Sequence, residues 1–322
     1  MQTKTVGSIL AIGLAAALIP AGCKSAAPEK GKIVVGFVQE GDESGWRTAE
    51  TKSVKDEAAK RSDKIDLKFY DAQQKTENEI TGIRNFIAQG VDVIIFCPKV
   101  KTGWDPVLRE AAQKHIPVIL ADRNITTSDP NLYATFVGSD FVQEGVHIGD
   151  WLATKMNGKG NIVEIEGQTG SDPAIDRKRG FDEEIAKHPD MHIIASVSGD
   201  FDRTKGKEAM EAQLKAHPGQ IQAVFAHNDE MALGCIQAIK EAGLKPGKDI
   251  LVVSIDGQKN AFQAMVDGEL SCDAECNPLL GPSLMDAVEA IHAGQTEPKW
   301  IKSKEGVWDQ STAAAELPKR QY

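Results

Sequence analysis

No cluster of lysine and arginine breaks the sequence, and its formal charge is −10 over 322 residues. That excludes the concentrated basic stripe on which nucleic-acid binders depend, so no nucleic-acid partner is expected. Cysteines are few, at 23, 97, 235, 272 and 276, and none stands with histidine at a metal-ligand spacing, so no metal is expected. A glycine-rich turn after a strand is also missing: VGFVQEGDESG lacks the phosphate-binding pattern, and GQTG at 167–170 is too short for one. With no such turn, no nucleotide cofactor is expected. Ser44 precedes Gly45, but Asp42 stands two residues earlier, so the G-x-S-x-G turn of a serine hydrolase is absent and nucleophilic catalysis has no support. The apolar stretch from Ile9 to Ile19 is too short to span a membrane.

That stretch has a lysine before it and small residues after it, which is the layout of an export signal over residues 1–22. The polar segment 23–31 then reads as a tether. Ala21-Gly22-Cys23 resembles the lipobox of bacterial lipoproteins, in which the cysteine is acylated; Pro20 departs from the aliphatic residue usual there. Lipidation at Cys23 would tether the protein to a membrane without spanning it, in the periplasm or cell envelope. The other four cysteines fit buried thiols better than bridges. Cys272 and Cys276 fall in one expected strand, where four residues separate them by about 13 Å, beyond disulfide reach.

What the chain does have is 41% hydrophobic and 26% charged residues, enough to bury a large core, and a length that suggests two lobes. From Lys32 on, short apolar runs alternate with amphipathic stretches, the pattern of an α/β fold with parallel sheets covered by helices. Strands are expected at 32–38, 65–70, 92–97, 117–121, 133–138, 161–166, 191–198, 221–226, 249–255 and 270–275. Ten are many for one open sheet, so two sheets of about five are expected.

Ligands of open parallel sheets bind beyond the carboxyl ends of the strands. Charged, amide and aromatic residues recur there: Gln39 to Arg47, Lys99 and Trp104, Asp122 and Arg123, Asp176 and Arg177, Asp200 and Phe201, Asn228 and Asp229, Asp256, and Glu275. Helix capping accounts for single cases of Asp, Asn or Ser, less readily for repetition in both halves with Arg and Trp among them. Carboxylates accept from two vicinal hydroxyls, Arg and Asn donate in fixed geometry, and Trp offers a flat face to the C–H side of a ring. Such a set suits a monosaccharide. Two carboxylates across a cleft could also hydrolyse a glycoside, but no spacing singles out an acid and a nucleophile, so a binding protein rather than an enzyme is expected.

The motifs ESGWR (43–47), LADR (120–123), AIDRKRGF (174–181), SGDFDRTKGKEAM (198–210), AHNDEMALG (226–234) and SIDG (254–257), in this order, resemble the periplasmic sugar-binding proteins of ABC transporters. The likeness is to the ribose- and galactose-binding type, and most of all to its galactofuranose-binding members. It implies the type I fold: two Rossmann-like lobes joined by a three-segment hinge, one of residues 31–138 with 277–304, the other of 139–276 with 305–322. The implied ligand residues are Glu43, Ser44, Trp46, Arg47, Asp122 and Arg123 from the first lobe, and Arg177, Asn228, Asp256 and Glu275 from the second lobe and hinge. Asp229, Asp200 and Phe201 rank below these. Blander roles stand beside them: Ser44 as a helix cap, Asp256 as a turn residue, Arg177 paired with Asp176 or Asp182, Trp46 as core. The resemblance further implies a monomer that closes on a sugar and is read by an ABC permease, or by a receptor for sugar or quorum signals. Transcriptional regulators share the core but carry a DNA-binding helical motif where this chain has its export signal.

Overall fold

The computed structural model describes residues 1–3 and 31–322. Residues 4–30, with Cys23 and most of the expected leader and tether, lie outside the described residues. Apolar, β-branched runs such as IVVGFVQ and VIIF form strands buried on both faces, as parallel strands between helical layers must be. In chain order they are β1 (Ile33–Gln39), β2 (Ile65–Asp71), β3 (Val93–Phe96), β4 (Val118–Ala121), β5 (Thr135–Gly138), β6 (Lys159–Glu166), β7 (Asp190–Ser198), β8 (Ala223–Ala226), β9 (Leu251–Asp256), β10 (Cys272–Glu275), β11 (Trp300–Lys302) and β12 (Val307–Asp309).

The first sheet has the order β2-β1-β3-β4-β5-β11 and the second β7-β6-β8-β9-β10-β12. β1 is central, with Val35 opposite Leu67 on one side and Val93 on the other. Alternate residues feed opposite cores: Val35, Phe37, Ile95 and Ile119 meet Leu284 and Val288 of the helix Gly281–His292, whereas Val38, Ile94 and Phe96 meet Trp104 and Leu108. Trp104, a strand-end aromatic in the sequence, is core: it is 1% exposed, edge-on to Phe96 at 4.7 Å. The four described cysteines beyond the leader are free and buried.

All ten expected strands are present, and two short ones, β11 and β12, complete the sheets. The chain passes between sheets three times, after β5, after β10 and after β11. β12 is antiparallel to β10. Each lobe thus repeats the doubly wound order 2-1-3-4-5, in which the strand order reverses beside the first strand and leaves a crevice at the carboxyl ends. Among the described residues no helix is long and apolar enough to cross a membrane.

Candidate functional site

The two sets of strand ends face one pocket between the lobes. From the first lobe it is lined by Glu43, Ser44, Trp46 and Arg47, which follow β1, and by Asp122 and Arg123, which follow β4. From the second come Arg177 on the helix Asp172–Ile185, Asn228 after β8 and Asp256 at the end of β9. Nine of the ten residues named from the sequence therefore converge.

Glu275 is the exception. Its carboxylate accepts from Arg320 Nη1 at 2.8 Å and from the Tyr322 hydroxyl at 3.1 Å, and it lines grooves elsewhere on the surface. The chain terminus reached by Arg320 and Tyr322 draws it away from the pocket. Conversely, Phe141, Pro173, Phe201 and Cys276 line the pocket. Cys276 follows β10 directly and Phe141 comes three residues after β5, so strand-end position held the signal there, but their apolar side chains hid it; Pro173 lies seven residues past β6, on the helix Asp172–Ile185. Phe201 carried the signal and ranked low; its neighbour Asp200 instead pairs with Lys205 on the surface.

Asp122 and Asp256 occupy equivalent places in the two lobes, and both have positive φ, 61° and 139°. A non-glycine residue there costs about 1–3 kcal/mol, and such strain gathers where a side chain must be aimed. Ser44 is indeed a cap, accepting from Arg47 N at 3.2 Å. Asn228 caps the helix Asp229–Glu241 and also donates to Phe201 O at 3.2 Å. Asp229 lies behind, accepting from the Ser254 hydroxyl and Gln258 N. Trp46 Nε1 donates to Cys276 O at 2.6 Å, fixing the indole against the second crossing.

Each lobe holds carboxylates around guanidinium groups. Arg47, 1% exposed, lies 2.6 Å from Glu50, 2.7 Å from Asp122, 3.0 Å from Glu43 and 3.3 Å from Glu40. Arg123 Nη1 lies 2.7 Å from Glu40 and donates to Gln168 Oε1 of the other lobe at 3.0 Å; its buried Nε makes no hydrogen bond, though it lies 3.4 Å from Asp122 Oδ2. Arg177 pairs with Glu144 at 2.7 Å rather than with Asp176 or Asp182, donates to His227 O at 2.6 Å, and lies 3.6 Å from Asp256. Burial drives the Glu40 carboxyl well above its ordinary range, and it lifts Glu50 as well. Burial also pushes on Glu43, but the guanidiniums of Arg47 and Arg123 hold it low. Burial, reinforced by the charges of Asp229, Glu144 and Asp122, pushes Asp256 well up against the pull of Arg177. The pocket thus offers guanidinium donors beside carboxyls able to donate or accept, a match for vicinal hydroxyls.

Where the three crossings meet, Glu144, Cys276 and Glu305 bring ligand-type atoms within 4.8 Å of one another. Arg177 already takes one oxygen of Glu144, and Ser139 and Asn277 N bond Glu305, which makes this a knot between segments rather than an open metal cradle.

Behind the pocket, Glu79 accepts from Lys99 N at 2.8 Å, and burial raises its carboxyl to about 8. The folded chain keeps a proton there that the unfolded chain releases near pH 4.5, so its stabilising contribution is full at low pH and is lost as pH rises to 8. The slope is at most about 1.4 kcal/mol per pH unit. Glu79→Gln should flatten the fall in urea midpoint between pH 6 and pH 8; a slope equal to that of the unchanged protein would assign the dependence to other groups.

Residues 35–315 match the family described as periplasmic binding protein domain. The galactofuranose-binding protein YtfQ of Escherichia coli is 50% identical over 292 residues, 89% of this chain and 91% of that one. The periplasmic component of the arabinose ABC transporter of Shewanella sp. ANA-3, solved with α- and β-L-arabinofuranose, is 52% identical with a TM-score of 0.86, covering 89% of this chain and 95% of that one. A Mycobacterium smegmatis structure in complex with β-D-fucofuranose is 50% identical with a TM-score of 0.87, covering 90% and 95%.

Proposed function

The chain belongs to the periplasmic binding protein family, and from that premise we propose that it captures a monosaccharide in furanose form by lobe closure and presents it to an ABC permease. The observation that carries this reading is the convergence of Trp46, Asp122, Arg123, Arg177, Asn228 and Asp256, from both lobes, on one pocket. A sugar bonded by both lobes has its full affinity only for the closed arrangement, and so shifts the population toward it. Asp122 and Asp256 hold hydroxyls from opposite sides, Arg123 and Arg177 donate to ring or hydroxyl oxygens, and Trp46 covers an apolar face. Glu43, Ser44 and Asn228 complete the polar lining, and Arg47 acts through Asp122 and Glu43, its donors being engaged by carboxylates. The furanose preference is supported by the three similar proteins described above.

The lobes in this reading are residues 31–138 with 277–304 and residues 139–276 with 305–322, matching the membership of the two sheets. A monomer, exported by the leader and anchored through an acylated Cys23, fits the same role. Glycoside hydrolysis is disfavoured because the pocket carboxylates are tied to guanidiniums, leaving no acid and nucleophile set apart across a bond.

Calorimetry with galactofuranose, L-arabinose, ribose and glucose tests the reading. Micromolar or tighter binding of a furanose-forming sugar is expected, with a change in tryptophan emission that disappears in Trp46→Phe. Flat titrations across the whole panel would overturn it.

A further inference from the structure

We propose that Lys101 and Asp172 form a clasp across the mouth of the cleft that sets how long the closed lobes hold their ligand; the ligand rests on the sugar-capture reading, the clasp on geometry alone. Lys101 lies in the loop between β3 and the helix Asp105–Gln113 of the first lobe, and Asp172 begins the helix Asp172–Ile185 of the second. Lys101 Nζ stands 2.5 Å from Asp172 Oδ1 and 2.9 Å from Asp176 Oδ2. The other Asp172 oxygen accepts from Asn124 N at 2.8 Å, and Lys101 N donates to Gly170 O at 2.9 Å. Four polar contacts thus join two loops of one lobe to one turn of the other.

None of Lys101, Asn124, Asp172 or Asp176 lines the pocket. Any effect they have on binding therefore passes through the balance between closed and open lobes. The Asp172 side chain is 3% exposed and that of Lys101 20%, so the pair is screened by salt far less than a surface pair. Separating the lobes breaks all four contacts together and returns both charges to water. Apparent affinity scales with the fraction of molecules in the binding-competent state, and a contact present only on closure acts mainly on escape of the ligand.

Stopped-flow release of L-arabinose from the full chain, compared with Lys101→Met, Asp172→Asn and the double variant, tests this. Release about tenfold faster in Lys101→Met is expected, with association little changed, and the two substitutions together should fall well short of the product of their separate effects. Release from Lys101→Met at the unchanged rate would overturn the clasp. A second measurement, distances between spin labels at Lys114→Cys and Lys187→Cys without sugar, stands apart from the sugar reading. A smaller short-distance population in Lys101→Met supports the clasp, and identical distributions overturn it. Should the unchanged protein bind no sugar of the panel, the capture reading fails and the distances alone decide the clasp.

Discussion

Arg177→Ala should lower sugar affinity by about one to two orders of magnitude, roughly 1.5–3 kcal/mol, the worth of a hydrogen bond from a charged donor to a sugar oxygen. Arg177 serves three groups at once: Glu144 through Nε, the carbonyl of His227 through Nη1, and Asp256 on the pocket side. Removing it also leaves Glu144, itself 3% exposed, without its counter-charge, so part of the loss could come from damage to the fold. Arg177→Ala with Glu144→Gln separates the two: stability should recover while affinity does not. Arg177→Lys should fare little better than Ala, since an ammonium cannot bridge three acceptors in the plane of a guanidinium. Calorimetric affinity within threefold of the unchanged protein would remove Arg177 from the ligand site.

Arg47→Met should act on the fold first. Four carboxylates, Glu40, Glu43, Glu50 and Asp122, lie within 3.3 Å of one buried guanidinium, and breaking such a buried arrangement costs about 3–5 kcal/mol. At 2–4 °C per kcal/mol for a chain somewhat shorter than this one, a melting temperature lower by roughly 10 °C follows. The deficit should be larger at pH 8 than at pH 5. Burial already raises Glu40 and Glu50, so at lower pH they take up protons and no longer need the counter-charge, whereas with rising pH they must ionise unpaired. A deficit that grows on acidification would contradict this account of the cluster.

The fold was legible where burial writes itself into the sequence. Strands covered on both faces leave unbroken apolar runs such as VIIF and VILA. β11 and β12 leave none, because each has three residues at a sheet edge, partly exposed; only the chain's return path places them. The site was legible for a related reason. Asp122 and Asp256 close equivalent strands, and a polar residue ending an apolar run must sit at the rim of a parallel sheet. Rim position does not say which way a side chain is drawn. Glu275 ends a strand as Asp256 does but answers to Arg320 and Tyr322, a long way along the chain. Arg177 likewise chose Glu144 across a helix interface over the acids on its own helix, a choice set by packing between elements rather than by spacing within one.

The first sheet is closed at its edge by β11, which lies beside β5 yet comes from residues 300–302. A chain emerging from a ribosome or an export channel therefore delivers residues 139–276, the bulk of the second lobe, before it can finish the first. Until then β5 displays bare backbone donors and acceptors, a template for pairing with other chains. Fragments ending shortly after β10 should accordingly be found in the aggregated fraction, and the intact polypeptide should acquire its final structure only once nearly all of it has been released.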